Sequence, residues 1–170
     1  KMLTFFDQIF VQDEKSANLL KQIQINHFQI SGDTRFDRVY EIARKSKDFP
    51  VVESFKNGQK TLVCGSSWSK EISMISQFMK ENKTQLKYII APHQVNEENI
   101  KKIQAHIPLK TICLSNASSE SVKACDCLII DSIGILAAIY KYGDIAFVGG
   151  GFYQGIHSIL EPATFGLPVV

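Results

Sequence analysis

A chain of 170 residues is long enough for one domain with a proper core, and no more than one is expected. Apolar residues make up 45% and charged residues 21%, the ordinary balance of a soluble globular protein; the formal charge of +2 has no block of like charges behind it, and Lys101-Lys102 is the densest basic spot, so nucleic acid is not implied. No apolar run approaches the roughly 20 residues a membrane helix needs, and nothing resembles a signal peptide.

Residues 1–30, which include Leu3-Thr4-Phe5-Phe6, read as a lead-in of short helix and strand, and residues 31–170 as the domain proper. Asp33-Thr34 is N-cap material for a helix carrying Phe36, Val39, Tyr40 and Ile42. Residues 51–60, with Asn57-Gly58, read as a turn-rich connection. Beyond them short apolar runs alternate with helical periodicity. Thr61–Cys64, Tyr88–Ala91, Thr111–Leu114, Cys127–Ile130 and Ile145–Val148 are the strands. Ile72, Ile75, Phe78 and Met79 mark one helix, Ile100, Ile103 and Ile107 a second over about 97–106, and Ile133, Leu136, Ala137 and Tyr140 a third, with Asp131-Ser132 as its cap. Continuous apolar strands separated by helices predict an α/β fold: a parallel sheet covered on both faces. Of the cysteines, Cys64 and Cys113 lie within strands, and Cys125 and Cys127 lack the further ligands of a metal site; all four read as reduced, buried thiols of a cytoplasmic protein. The abrupt start at Lys1 and the strand-like end at Val169-Val170 suggest a piece of a longer protein.

Ligands of an open parallel sheet gather beyond the carboxyl ends of its strands. The residues there are Gly65-Ser66-Ser67-Trp68, Pro92-His93-Gln94, Asp131-Ser132-Ile133-Gly134 and the run from Gly149 through Gly150, Gly151 and Gly155 to His157. Small, polar or glycine-rich residues thus end four strands along one edge. The triple glycine allows a sharp turn and a close backbone approach, and His157–Phe165 reads as a helix whose N-terminus would face a phosphate. A tight turn without a ligand is the plainer alternative. Gln154 stands where a dinucleotide fingerprint needs glycine, and no Gly-Lys-Ser/Thr follows, so a P-loop is excluded. Glu161, followed by Pro162 at a helix start, can take the two hydroxyls of a ribose; otherwise it is a solvated helix carboxylate. His93 could touch a base or phosphate, or simply pack. Arg35 could hold a phosphate or sugar carboxylate, or pair with Asp33 or Asp37. Trp68 could wall a sugar pocket or fill space under a loop.

Five motifs occur in order: Gly-Asp-Thr-Arg-Phe-Asp-Arg-Val at 32–39, Gly-Ser-Ser-Trp at 65–68, Ala-Pro-His at 91–93, Asp-Ser-Ile-Gly-Ile-Leu at 131–136, and Val-Gly-Gly-Gly-Phe with Gly-Ile-His-Ser-Ile-Leu-Glu-Pro-Ala between 148 and 163. Together they resemble the 3-deoxy-D-manno-octulosonic acid (Kdo) transferases of lipopolysaccharide synthesis, in the C-terminal, donor-binding half of their two-domain GT-B fold. The resemblance implies CMP-Kdo as donor and a lipid A precursor as acceptor. It implies nucleotide contacts from Pro92, His93, Gly134, Ile135, Leu136, Ser158, Ile159, Leu160 and Glu161. Phosphate or sugar contacts are expected from Arg35, Ser66, Gly150, Gly151, Gly155 and His157. Relatives usually carry Asn where Ser158 stands, and two acidic residues after the tryptophan where this chain has Ser69-Lys70-Glu71-Ile72, which argues against an acidic role for that loop.

CMP carries one phosphate and no Asp-x-Asp cluster is present, so neither a metal nor another cofactor is expected. The resemblance places the catalytic base, and the attachment to the cytoplasmic face of the inner membrane of a Gram-negative bacterium, in an N-terminal half that this chain lacks; the chain alone is expected to be inactive. Two alternatives stand beside this reading: a UDP-sugar epimerase or other GT-B-like enzyme, and a non-catalytic Rossmann-like interaction domain.

Overall fold

A computed structural model of the chain describes residues 2–82, 86–152 and 155–170. They divide into two compact units, 1–41 and 42–170. In the first, a 3-10 turn (Met2–Phe5) precedes β1 (Ile9–Val11), α1 (Glu14–Gln22) and β2 (Phe28–Ile30), and β1 and β2 pair in parallel. Asp13 caps α1, its Oδ1 accepting the Ser16 N–H at 2.7 Å, and Ala17 is fully buried beneath the helix. α2 (Thr34–Arg44) follows Asp33 as its sequence predicts, with the Arg35 N–H donated to Asp33 Oδ1 at 3.0 Å.

The larger unit contains α3 (Pro50–Lys56), β3 (Thr61–Ser67), α4 (Ser69–Glu81), β4 (Lys87–Pro92), α5 (Glu97–His106), β5 (Thr111–Cys113), β6 (Cys127–Ile129), α6 (Leu136–Ile139), β7 (Ile145–Val148) and α7 (Leu160–Thr164). The strands form one parallel sheet in the order β5-β6-β4-β3-β7. This is the Rossmann-like α/β architecture the sequence predicts.

Alternate residues of each strand feed opposite cores. Cys64, Tyr88, Ile90, Cys127 and Ile129 pack under α4 and α5 with Ile72, Ile75, Met79, Ile100 and Ile103. Val63, Ile89, Leu128 and Ala146 pack on the other face with Val52, Phe55, Ile139 and Tyr140. Burial on both faces is why the strands read as unbroken apolar runs. All four cysteines are buried and free; burial pushes the Cys64 thiol up to about 12 and raises Cys127 and Cys113 as well.

Two expectations are corrected here. Residues 50–56 form a helix, not a turn-rich connection: Pro50 starts it, Val52 and Phe55 are fully buried one turn apart, and Asn57 ends it with φ of 46°. Asn57-Gly58 is therefore a helix C-cap. The third predicted helix is interrupted. Asp131 accepts the N–H of Ser115 at 3.0 Å instead of capping, Ile133 is 86% exposed and Gly134 has φ of 85°, so α6 begins only at Leu136 and continues as a 3-10 turn, Tyr140–Tyr142. Among the described residues no helix is long and apolar enough to cross a membrane.

The bottom of the sheet is tied by Asp144. Its carboxylate accepts from the Thr61 N–H at 3.0 Å and pairs with Lys60 at 2.9 Å and Lys56 at 3.2 Å. Burial alone would raise this carboxyl; the hydrogen bonds from Lys60, Thr61 and Lys56 outweigh it and hold the group below its ordinary value of 3.8. Near the opposite end of β3, Gly65 faces the buried Tyr140: a Cβ there would lie 2.0 Å from the phenolic oxygen and 3.2 Å from Leu136 Cδ2.

Asp144→Asn should lower stability at pH 7 by about 1 kcal/mol in urea unfolding. Because the folded-state pKa is depressed, the wild-type advantage is present above 3.8 and fades as pH falls through the folded value, so the two proteins should converge in acid. Gly65→Ala should cost about 1–3 kcal/mol by overpacking, and adding Tyr140→Phe should recover part of that loss in thermal melts.

Candidate functional site

The chain leaves β3 toward β4 by way of α4 on one face of the sheet, while β7, reached by way of α6 on the other face, flanks β3 on its second side. The strand order therefore reverses between β3 and β7. Such a switch point opens a crevice beyond the carboxyl ends of the strands, where open α/β sheets bind ligands. The described residues bordering it are those of 65–68, 149–152 and 155–157.

Backbone bonds lock these loops together. The Gly149 N–H donates to Gly65 O at 2.9 Å, the His157 N–H to Gly149 O at 3.1 Å and the His93 N–H to Ser67 O at 2.9 Å. There is no room for side chains at the crossing: a Cβ on Gly149 would sit 2.4 Å from Ser66 O, and one on Gly150 2.5 Å from Gly155 O. Gly150 has φ of 103°, and Ser66, with φ of 52°, adopts a left-handed backbone that side-chain-bearing residues rarely use.

Three rings then stack across the rim. His93 lies between Trp68, with centroids 3.9 Å apart, and His157, at 5.0 Å. Trp68, Ser67, Ser69, His93, Gln94 and Asn99 line part of a cavity of about 240 Å³ between α4 and α5. Trp68 thus both walls a cavity and supports His93.

On the other side of Gly65 sit Leu136, Tyr140 and Glu161. Glu161 is the second residue of α7 and half-buried, with the buried Pro162 after it, the placement its sequence predicts. Burial, followed by the nearby Glu161 carboxylate and Cys64, pushes the Tyr140 phenol up, so it stays protonated. Pro92 is the last residue of β4, opposite Ser67, and Ile135 packs on the core beside Leu136. The edge therefore gathers Ser66, Pro92, His93, Leu136, Gly150, Gly155, His157 and Glu161. Ser158 and Ile159 are exposed and Leu160 half-buried on the approach to α7; Gly134 and Gly151 are exposed in their loops. Tyr153 and Gln154 lie outside the described residues.

Two features, the length of the last helix and the place of Glu71, differ from the sequence reading, and a third, the pairing of Arg35, follows one of its alternatives. The helix after the glycine loop is Leu160–Thr164, not His157–Phe165, because His157 is held by its stack on His93 and its bond to Gly149. Five residues align few peptide dipoles, so a phosphate here would depend on loop amides. Arg35 is engaged: its Nε and Nη2 donate to Asp33 Oδ1 and Oδ2 at 2.9 and 2.6 Å, which lowers the Asp33 carboxyl and raises the guanidinium. Glu71, discounted in the sequence, is 1% exposed and accepts from the N–H groups of Trp68 at 3.1 Å and Gly150 at 3.0 Å. Its position three residues after the N-cap was a legible signal, the spacing of a capping box. Among the described residues, no group of three or more His, Cys, Asp or Glu is gathered as for a metal.

No family model matches the chain. Individual proteins do. It is 28% identical over 170 residues, 97% of this chain and 43% of the relative, to a 3-deoxy-D-manno-octulosonic acid transferase of Aquifex aeolicus. It is 28% identical over 96% of its length to the protein of that name from Chlamydophila psittaci, and 30% to that from Chlamydia muridarum, covering 39% of each. The chain thus spans about two fifths of the length of these curated relatives. Its fold matches that of the C-terminal CMP-Kdo binding domain of WaaA from Acinetobacter baumannii with a TM-score of 0.56 at 17% identity, over 79% of this chain and 68% of that one. By sequence the chain is a relative of the 3-deoxy-D-manno-octulosonic acid transferases, and by structure it shares the fold of the C-terminal CMP-Kdo binding domain of WaaA.

Proposed function

We propose that this chain is the donor-binding part of a Kdo transferase, and that the crevice between β3 and β7 takes CMP-Kdo. The observation that carries the reading is the meeting, around Gly65, of loops that hold four of the family-like motifs: 65–68, 91–93, 131–136 and 148–163. Within it, Pro92, His93 and the 134–136 turn receive the cytosine, Ser158–Glu161 the ribose, and the residues 149–152 and 155–157 the phosphate. Glu161 serves the ribose as a two-oxygen acceptor. The Gly150 N–H is already donated to Glu71, so Gly150 shapes the loop and the amides of Gly151 and Phe152 are the phosphate's donors. Ser66 and His157 border the same space. Arg35, held by Asp33, has no part in this assignment.

In the transfer, the bond from the sugar's anomeric carbon to the phosphate oxygen breaks as the acceptor hydroxyl forms its own bond to that carbon. CMP leaves with growing negative charge, and preorganised amides at the glycine loop stabilise it. The hydroxyl proton passes to a base that we assign to the N-terminal half of the longer protein. That protein adds Kdo to a lipid A precursor at the cytoplasmic face of the inner membrane in lipopolysaccharide synthesis. One phosphate on the leaving group makes a bound metal unnecessary.

Calorimetric titration tests this. CMP should bind in preference to UMP and NAD, unaffected by EDTA, and Glu161→Ala should weaken it about tenfold or more, the equivalent of ~1.4 kcal/mol. Equal affinity for UMP, or no binding of CMP, would refute the donor assignment. Incubated with CMP-Kdo and a lipid A precursor, this chain alone should release no transfer product.

A further inference from the structure

Glu71 and Lys87 are the buried charged side chains among the described residues. Lys87 is accounted for by the sheet: its ammonium donates to Cys125 O, lies 3.3 Å from Asp126 Oδ1 and sits 5.2 Å over the Phe55 ring. Glu71 lies instead at the proposed site. It is the third residue of α4, and its two oxygens face two different loops. Oε2 accepts from the N–H of Trp68, which closes the first turn of α4. Oε1 accepts from the N–H of Gly150, 79 residues further on.

Both partners are donors, so the position demands two acceptor oxygens at once. A carboxylate supplies them. A glutamine supplies one and sets an NH₂ group against the other N–H, and an aspartate is one carbon short of spanning both. The tie falls on a glycine with φ of 103°, a residue type whose backbone has more conformations open to it than any other. Fixing Gly150 fixes the start of the glycine loop at a point where the packing is close: Gly155 O and His157 Cδ2 lie 2.5 and 2.9 Å from where a Cβ on Gly150 would be.

We infer that Glu71 is a positioning residue for the donor's phosphate, holding the glycine loop in its binding shape through Gly150 without touching the ligand. The inference rests on the donor-binding reading above and predicts a selective effect. In Glu71→Gln, CMP affinity should fall about tenfold, whereas cytidine, which lacks the phosphate, should bind as it does to the wild type. Glu71→Asp, which keeps a carboxylate able to cap α4, should show the same selective loss if the glutamine variant does not fold. Amide exchange of Gly150 in the ligand-free chain gives a separate readout. It should be slow in the wild type and at least about tenfold faster in either folded variant. Failure of the wild type to bind CMP would sink the donor reading while the exchange data still judge the tie. Unchanged Gly150 exchange, or equal losses for CMP and cytidine, would overturn the role assigned to Glu71.

Discussion

The site depends on a missing side chain. At Gly65 the central strand β3 offers bare backbone, and the space a methyl group would need is filled by the Tyr140 hydroxyl, with Leu136 close behind. The same residue's carbonyl takes the Gly149 N–H from the neighbouring β7 loop. Three connections that are remote in sequence can therefore close on one point of the sheet edge. Any side chain there would push the 3-10 turn bearing Tyr140 outward, and with it the support for Glu161.

What lies around that point is an ordered backbone with few charges. Gly149, Gly150, Gly155 and Ser66 are arranged by main-chain bonds and by the absence of Cβ atoms, and the carboxylate of Glu71 sits beneath them without reaching solvent. Preorganisation of this kind suits an anion whose charge grows during reaction, because the donors need not reorient as it develops. The His93 ring, held between Trp68 and His157, joins the β3, β4 and β7 loops into one rim.

The sheet was legible in the sequence for a physical reason: strands buried on both faces need apolar residues at every position, and all five stand out as such runs. Helix α5 was equally plain, since Ile100, Ile103 and Ile107 mark its buried stripe. Short helices were not. In α3 only Val52 and Phe55 carry the pattern, and Asn57-Gly58 serves a helix end as readily as a turn. The length of α7 was overestimated because the stack and bond that withdraw His157 are tertiary. Glu161 could be placed from Pro162 alone, a local signal, whereas the bond from Glu71 to Gly150 joins residues too far apart for spacing to reveal. Arg35 offered a phosphate partner or a neighbouring carboxylate, and the carboxylate two residues away is the one it holds.

The cysteines have a consequence of their own. Thiol reagents attack the thiolate, and a group pushed up to about 12, as Cys64 is, leaves roughly one molecule in 100,000 ionised at neutral pH. Cys64 and Cys127 are also fully enclosed in the middle of the sheet. Alkylation of these sulfurs therefore waits for the strands to part, and its rate becomes a built-in timer of how often the sheet opens beneath the glycine loop.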